Sequence, residues 1–194
     1  MLSIIAGVMI GIGCIIFLSI GGTAGALLFS LGLLTILVLK MELFTGKAGL
    51  LATNEIKPGK LLEIWVGNFL GTFCLALGLI GTPKGVELAN KASEIVAIRL
   101  ANGPLTNLIY GIMCGMLMYM AVKTWQMTSG NPFYAMMPVA IFILSGFNHC
   151  VADMFYFSIA CIWNVKSLIA ILAIILGNTV GGLIIPLLRG VCHD

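Results

Sequence analysis

The sequence predicts an all-α membrane protein with six transmembrane helices in two inverted halves of three, in which the second and fifth helices are interrupted. Three observations carry this prediction. The hydrophobic fraction of the 194 residues is 60% and the charged fraction is 9%, so a soluble domain would lack polar surface to face water. Apolar runs long enough to cross a bilayer, which takes about 20 residues, recur along the chain. A glycine–asparagine motif also occurs twice.

Four apolar runs each predict one unbroken span. They cover residues 2–20, 61–80, 105–122 and 168–188. No basic segment precedes the first run and no small-residue cleavage site follows it. We therefore expect the first run to be retained as a span and not removed as a signal peptide.

Two longer apolar segments are expected to break partway through the membrane. Residues 24–53 are too many for one straight crossing at about 1.5 Å per residue and too few for two crossings with a loop. We expect a broken helix there, with 43–53 as its second piece. The segment from residue 133 is interrupted at 145–149 and resumes over 151–162. Such backbone is tolerated at membrane depth only when it is buried in protein or lines a watery cavity.

The longest polar stretch, residues 82–103, has a helical rhythm typical of a surface helix. We expect a single transmembrane domain over residues 1–194, with halves near 1–81 and 105–190 joined by this stretch. The net charge of +3 is small and the basic residues are scattered, so nucleic acid is not an expected partner. Lysine and arginine near the span ends weakly favour a cytoplasmic N-terminus for a multi-pass protein of the cell membrane.

The glycine–asparagine motif indicates an internal repeat. It reads Gly-Asn-Phe-Leu-Gly over residues 67–71 and Gly-Asn-Thr-Val-Gly over residues 177–181. Each copy follows a segment that is expected to break. Because three spans is an odd number, the second half must be inverted, and inverted repeats with broken helices indicate a transport path at their interface. We expect Asn68 and Asn178 to hydrogen-bond the irregular backbone of the broken helices.

The six cysteines do not indicate a metal site or a disulfide framework. They show no Cys-x-x-Cys spacing, and most lie in apolar runs where cysteine acts as a small hydrophobe; they are Cys14, Cys74, Cys114, Cys150, Cys161 and Cys192. We expect no metal and no cofactor. Because the sequence has no His-Glu-x-x-His or similar helical motif, we also expect that the protein is not an enzyme.

His149 and Thr45 are the candidate functional side chains, because each lies at one of the expected breaks. An ionisable residue inside a membrane usually faces a polar path, and histidine can hold or release a proton near neutral pH. A threonine hydroxyl can donate to an anion or to an imidazole. Two alternatives remain open: a neutral histidine that bridges two helices, and a threonine that bonds only to its own helix.

Two carboxylates, Glu42 and Asp153, lie near the same breaks. A bare carboxylate in a pore would repel anions. We expect both residues to be paired structural charges, with Lys40 as the suggested partner.

At these positions the sequence resembles the formate/nitrite transporter family. The similarity covers nearly the whole chain and is strongest at residues 22–32, at Glu-Leu-Phe-Thr-Gly (42–46), at 67–68, at 137–140, at Ser-Gly-Phe-Asn-His (145–149) and at 177–178. The resemblance implies an aquaporin-like protomer of six helices and a homopentamer with one pore per subunit. It also implies a small-molecule anion substrate, protons and membrane lipid as partners.

The resemblance implies a role for individual residues as well. The family's loop threonine falls on Thr45 and its central histidine on His149. Its basic vestibule residue falls on Arg99 and its helix-six asparagine on Asn178. The residues that narrow its pore fall on Phe29, Leu33, Leu43, Phe44 and Phe142.

Three positions depart from the family pattern. Asn148 stands where the family often has glutamate, Asp153 where it has asparagine, and Gly115 where it has an asparagine of helix four. We also expect the chain to lack the cytoplasmic segment that usually precedes the first helix.

These features together predict a pore for small weak-acid anions such as formate, nitrite or hydrosulfide. Arg99 would attract the anion, which then meets apolar constrictions where a bare charge is costly. A proton shared with His149 would neutralise the anion between them. The alternative is a channel for neutral solutes such as water or glycerol. The sequence lacks the aquaporin Asn-Pro-Ala pair, which counts against this alternative. A membrane enzyme using His149 and Asp153 is a third, weaker hypothesis.

Overall fold

The computed structural model describes the backbone of residues 1–193 and the side chains of residues 1–189. Within residues 1–193 every regular element is helical, which confirms the all-α prediction. In chain order the elements are α1 (Leu2–Ile20), α2 (Gly22–Val38), α3 (Phe44–Lys47), a 3₁₀ turn (Ala48–Leu51), α4 (Pro58–Leu79), α5 (Pro83–Met127), α6 (Pro132–Leu144), α7 (Cys150–Ile159) and α8 (Val165–His193).

In the described part of the chain, four helices are long and apolar enough to cross a membrane, namely α1, α4, α5 and α8. The other apolar helices are shorter because the chain leaves helical geometry after Val38 and again after Leu144. Both departures fall in the segments where the sequence predicts an interruption. The second piece of the first break is shorter than the predicted 43–53, since α3 and the 3₁₀ turn have only 4 residues each.

α5 joins the predicted surface helix and the predicted fourth span into one element of 45 residues with a kink. Its start is capped by Thr82, whose hydroxyl accepts a backbone N–H at 3.0 Å, and Pro83 occupies the first turn, where a missing N–H costs nothing. Inside the helix, Gly103 has φ 71° and ψ 172°. Glycine adopts this conformation without a Cβ clash, and the following Pro104 disfavours the α region at that position.

The helices pack as two sets that exchange their short elements. α1 packs against α2 and α4, whereas α5 packs against α6 and α8. The short elements cross over, because α7 packs against α4 and the 3₁₀ turn packs against α8. Every residue of α7 is buried. Each break starts at the surface, with Lys40 and Gly146 exposed, and ends in the interior, where residues 43–45 and 148–150 are buried. Irregular backbone is tolerated inside a membrane where it is buried in protein in this way.

Glycine permits the closest helix contacts in both sets. A Cβ built on Gly7 of α1 would overlap the carbonyl group of Asn68 in α4, and a Cβ on Gly115 of α5 would overlap that of Asn178 in α8. Small residues allow membrane helices to approach to this distance. Each asparagine of the repeated motif is therefore packed directly against a glycine of the neighbouring helix.

Replacing Gly115 by alanine is expected to lower the free energy of unfolding by about 1–3 kcal/mol, because the added methyl group overpacks the contact with Asn178. The measurement is the midpoint of thermal unfolding in detergent micelles. Gly78→Ala is the matched control, since a Cβ at Gly78 meets no atom within 4 Å and alanine is the better helix former. Equal midpoints for the two variants would contradict the expectation.

Candidate functional site

Both breaks begin with the same helix ending. α2 and α6 each end in a Schellman motif, with Lys40 at φ 52° in the first and Gly146 at φ 72° in the second. Glycine adopts this left-handed conformation freely, whereas a lysine there costs on the order of 1 kcal/mol. After each motif the chain is extended, at Leu43 before α3 and at His149 before α7. The two breaks thus have the same backbone path.

Asn68 of α4 holds the first break. Its Oδ1 accepts the N–H of Phe44 at 2.8 Å, and its amide nitrogen donates to the carbonyl groups of Glu42 at 2.9 Å and Ser3 at 2.7 Å. Asn68 is fully buried. The side chain therefore replaces the partners that a continuous helix would have supplied to the exposed backbone groups.

Asn178 of α8 holds the second break in the same way. Its Oδ1 accepts the N–H of Cys150 at 2.8 Å, and its amide donates to the carbonyls of Asn148 at 2.8 Å and Gly111 at 2.9 Å. In each break the asparagine binds the N–H at the start of the short helix and the carbonyl two residues earlier. The expected hydrogen bonds to irregular backbone are thus present at both asparagines.

The two breaks bring Thr45 and His149 together. Thr45 Oγ1 lies 2.8 Å from His149 Nε2, and both residues are buried. His149 Nδ1 accepts the N–H of Ala152 at 3.2 Å and so caps α7. A nitrogen that accepts this bond carries no proton, so in the neutral ring the proton is on Nε2 and donates to Thr45. The Thr45 hydroxyl is then left with its own proton to donate.

One phenylalanine stacks on the imidazole, and a second packs against the first. The rings of Phe142 and His149 are stacked, with centroids 5.4 Å apart and an interplanar angle of 12°. Phe29 meets Phe142 edge to face at 6.2 Å. Phe29 and Phe142 are almost completely buried. The imidazole is therefore bounded by apolar surface on the face that lies against Phe142.

Two cavities lie near the Thr45–His149 pair, and they share no lining residue. The smaller, of about 170 Å³, is lined by His149, Phe29 and Phe142 together with Arg99 and Asp153. The larger, of about 460 Å³, lies beside Gly46, the neighbour of Thr45. Its lining also includes Leu33, Leu43, Lys40, Lys47 and Lys123. Phe44, the remaining predicted narrowing residue, is buried and lines neither of these two cavities.

Arg99 and Asp153 form a buried ion pair in the wall of the smaller cavity. Arg99 Nε donates to Asp153 Oδ1 at 3.0 Å, and Nη1 donates to the carbonyl of Gly146 at 3.4 Å. The suggestion of Lys40 as the partner of Asp153 was wrong, because α5 brings the guanidinium directly against α7. The pair carries no net charge, which weakens the predicted long-range attraction of anions by Arg99.

Glu42 is paired as expected, but its partners are two lysines other than Lys40. Its carboxylate lies 3.4 Å from the ammonium of Lys47 and 3.8 Å from that of Lys60. Lys47 is on the short helix that follows the break, so it reaches back to Glu42. The side chain of Glu42 is 24% exposed, and at that exposure the pairs contribute little to stability.

Comparison with known proteins now decides the family. A sequence profile described as formate/nitrite transporter matches residues 1–189. The chain belongs to the formate/nitrite transporter family. The identification made from the sequence motifs is thereby confirmed. Family membership and the apolar helices together make this chain a membrane protein.

Curated members of the family include formate channels and nitrite transporters. The formate channel FocA of Haemophilus influenzae is 30% identical over 148 residues, which cover 68% of this chain and 51% of the relative. The nitrite transporter NirC of Salmonella typhimurium is 27% identical over 212 residues, which cover 94% of this chain and 78% of the relative. The match therefore spans about half the length of the Haemophilus protein, and 63% of that of Escherichia coli FocA.

Two solved structures of the family share the fold. One, described as a pentameric formate channel with formate bound, aligns with a TM-score of 0.80 at 24% identity and covers 99% of this chain and 95% of that chain. The other, an FNT family ion channel, aligns with a TM-score of 0.83 at 22% identity and covers 99% and 88%. Likeness at these identities establishes the fold.

One buried polar residue near the site was not singled out in the sequence. Asn107 of α5 donates to the carbonyl of Arg99 at 2.8 Å, and its Oδ1 accepts from the Asn148 amide at 2.9 Å. It thereby links the kink in the middle of α5 to the residue before His149. An asparagine four residues after a Gly-Pro kink was the available signal.

The five described cysteines differ in burial. Cys14, Cys114 and Cys150 are buried, whereas Cys74 and Cys161 are exposed, and all five are free thiols. Cys192 lies outside the described side chains. Among the described residues, no group of three histidine, cysteine or acidic side chains could hold a metal ion.

Proposed function

We propose that this chain is the subunit of a channel or transporter for small monovalent weak-acid anions, among them formate, nitrite and hydrosulfide. The observation that carries the proposal is the buried hydrogen bond between Thr45 and His149, where the two breaks meet. The names of the relatives supply formate and nitrite as solutes of other family members. Hydrosulfide belongs to the same chemical class, because it is a small monovalent anion of a weak acid.

Passage requires that the anion cross apolar surface on both sides of the pair. Phe29 and Phe142 bound the smaller cavity, and Leu33 and Leu43 bound the larger one; Phe44 follows Leu43 as the further narrowing residue. Placing a bare monovalent anion against such surface costs several kcal/mol or more. A solute that becomes neutral before it passes the phenylalanines or leucines avoids most of this cost.

His149 and Thr45 are suited to exchange a proton with such a solute. The neutral imidazole donates through Nε2, and the Thr45 hydroxyl retains a free proton with which it can hold an anion. Because histidine ordinarily titrates near neutral pH, the ring can carry the proton that the anion brings or takes. The anion of a strong acid cannot be neutralised in this way and should pass poorly.

The same proposal includes the architecture around the site. We infer six membrane crossings in a single transmembrane domain over residues 1–194, with α2–α3 and α6–α7 as the broken ones. The halves 1–81 and 105–190 are related by inversion, which the matched roles of Asn68 and Asn178 support. Assembly as a homopentamer in the cell membrane, with one pore per subunit, follows the pentameric relative. Asn68 and Asn178 hold the pore-lining backbone.

Transport by purified protein in liposomes tests the function. We expect uptake of radiolabelled formate, and of nitrite and hydrosulfide by fluorescent indicators, to rise as the pH falls from about 8 to about 6, the range around the ordinary imidazole pKa. Chloride should enter much more slowly, and liposomes without protein supply the baseline. Uptake of glycerol or water with no anion flux would favour the neutral-solute alternative, and equal rates for chloride and formate would contradict the proposal.

A further inference from the structure

The buried ion pair of Arg99 and Asp153 lines the same cavity as His149 but lies outside the Thr45–His149 contact. We propose that this pair is a loading subsite that takes up the anion together with one proton, which Asp153 and the anion share. Asp153 is thereby a specificity-determining residue that favours weak-acid anions over strong-acid anions. The inference rests on the proposed function, because it names a binding step of the same pore.

The geometry leaves each partner with unused hydrogen-bonding capacity. Asp153 Oδ1 accepts from Arg99 Nε, but its Oδ2 is buried and has no hydrogen-bond partner among the described residues. A buried acceptor without a partner costs about 1–3 kcal/mol. The described bonds of Arg99 use Nε and Nη1, and a guanidinium has five N–H donors in total. A donor for Oδ2 and an acceptor for the guanidinium would complete the pair.

A solute that offers both groups side by side is an undissociated weak acid. Its hydroxyl proton would bond Asp153 Oδ2, and its other oxygen would accept from Arg99. The side-chain torsion that turns a carboxylate is soft, so Oδ2 can rotate toward the cavity without a change in backbone. Nitrous and formic acids have this donor–acceptor pattern. Chloride is the anion of a strong acid and does not carry a proton in water.

Charge balance makes the proton necessary. Arg99 and Asp153 are 9% and 1% exposed, and their charges cancel. A bare anion added to the pair would leave one net negative charge in a buried site, next to another carboxylate. Two carboxylates that share a buried site cannot both stay ionised, and one of them takes a proton. An anion that arrives with one proton restores neutrality.

Among the described titratable groups around Asp153, His149 alone can compete for that proton. The titratable side chains near it belong to α5, α1, α7 and the residue before α7. They are Arg99, Cys114, Cys14, Cys150, Tyr156 and His149. The buried polar residues of α4, against which α7 packs, are Asn68 and Thr72. Thiols and phenols are ordinarily uncharged below about pH 8. His149 is the remaining candidate, so the experiment must separate it from Asp153.

The step balances in protons and charge. One anion and one proton enter from the solution, and the proton lies between Asp153 Oδ2 and the anion. The anion and the proton then leave together as the neutral acid, toward His149 in the same cavity. Asp153 is again the carboxylate paired with Arg99. No other reactant is consumed.

Binding of sodium formate to the detergent-purified protein tests this, by calorimetry in buffers of different ionisation enthalpy. If one proton is bound with each formate, Kd rises about tenfold per pH unit between about pH 6 and about pH 8. We expect this slope, and an uptake near one proton, in the wild type and in His149→Phe. In Asp153→Asn we expect no proton uptake, a flat Kd and tighter binding at about pH 8, because Arg99 then meets the anion unopposed.

Glu87→Gln is the matched control. Glu87 is also a carboxylate in ion pairs, with Lys84 and Lys91, but on the exposed start of α5. Its loss should leave the slope of Kd against pH unchanged.

Removing one partner of a buried pair can destabilise the fold, so the double variant Arg99→Gln with Asp153→Asn is measured too. The double variant keeps the site neutral, and we expect its Kd for formate to be tenfold higher or more.

Several outcomes would overturn the inference. One is formate binding without proton uptake in the wild type, a result that needs no variant. Another is a slope that persists in Asp153→Asn, or one that disappears in His149→Phe and so belongs to the imidazole. Each of these is distinct from failure of the proposed function, which is the absence of weak-acid flux in wild-type liposomes.

Discussion

Replacing His149 by phenylalanine is expected to lower formate uptake by about two orders of magnitude, the contribution typical of a positioned proton donor or acceptor. The new ring keeps the stacking on Phe142 but offers neither an N–H to Thr45 nor a site for a proton. What flux remains should lose its rise toward low pH. The measurement is initial uptake in proteoliposomes at several pH values between about 6 and about 8, where imidazole ordinarily titrates.

A second substitution separates proton exchange from folding. His149 also caps α7 by accepting the N–H of Ala152, and loss of a cap costs about 1 kcal/mol. Asparagine is a good capping residue but does not titrate, so His149→Asn should recover stability without recovering the flux. If His149→Asn transported formate with the wild-type pH profile, the proton role of the imidazole would be wrong.

Replacing Asn178 by leucine is expected to cost about 3 kcal/mol or more of unfolding free energy, since unsatisfied buried groups cost about 1–3 kcal/mol each. The change removes the partners of the Cys150 N–H and of the carbonyls of Asn148 and Gly111 at once. Because His149 lies between Asn148 and Cys150, we also expect formate uptake to be lost. Thermal unfolding in detergent and uptake in liposomes measure the two effects.

Thr179→Val is the matched control for Asn178→Leu. Thr179 is the next residue of α8, and the described bond of its hydroxyl is with the carbonyl of Ile175 in its own helix, at 2.9 Å. Its replacement should change the unfolding free energy by no more than roughly 0.5 kcal/mol. Similar melting temperatures for the two variants would show that Asn178 does not hold the second break.

The sequence predicted the local geometry of the site well, because short sequence motifs determine that geometry. Segment length predicted the first break, and the interruption at residues 145–149 predicted the second. The repeated Gly-Asn motif identified the two asparagines that bind the broken backbone. The contact of Thr45 with His149 followed from the assumption that the two breaks meet. The functional roles assigned to these residues stay predictions until transport is measured.

Long-range partners could not be predicted in the same way. The ion pair of Asp153 joins residues 54 positions apart, and its partner depends on where α5 bends. That bend occurs at Gly103, before Pro104, and neither residue reveals how far the preceding helix leans toward α7. Lys40 was nearer to a break in the sequence, but proximity along the chain carries no information about which helix faces which.

The exchange of short elements between the two sets of helices has a consequence for biogenesis. The 3₁₀ turn of Ala48–Leu51 packs against α8, which is translated well after it. Until α8 has been inserted, the turn lacks this part of its covering surface, although Tyr119 of α5 already lies close to Gly49. The packing around the first break is therefore complete only once α8 is in place, and a product truncated before α8 would leave this turn partly uncovered.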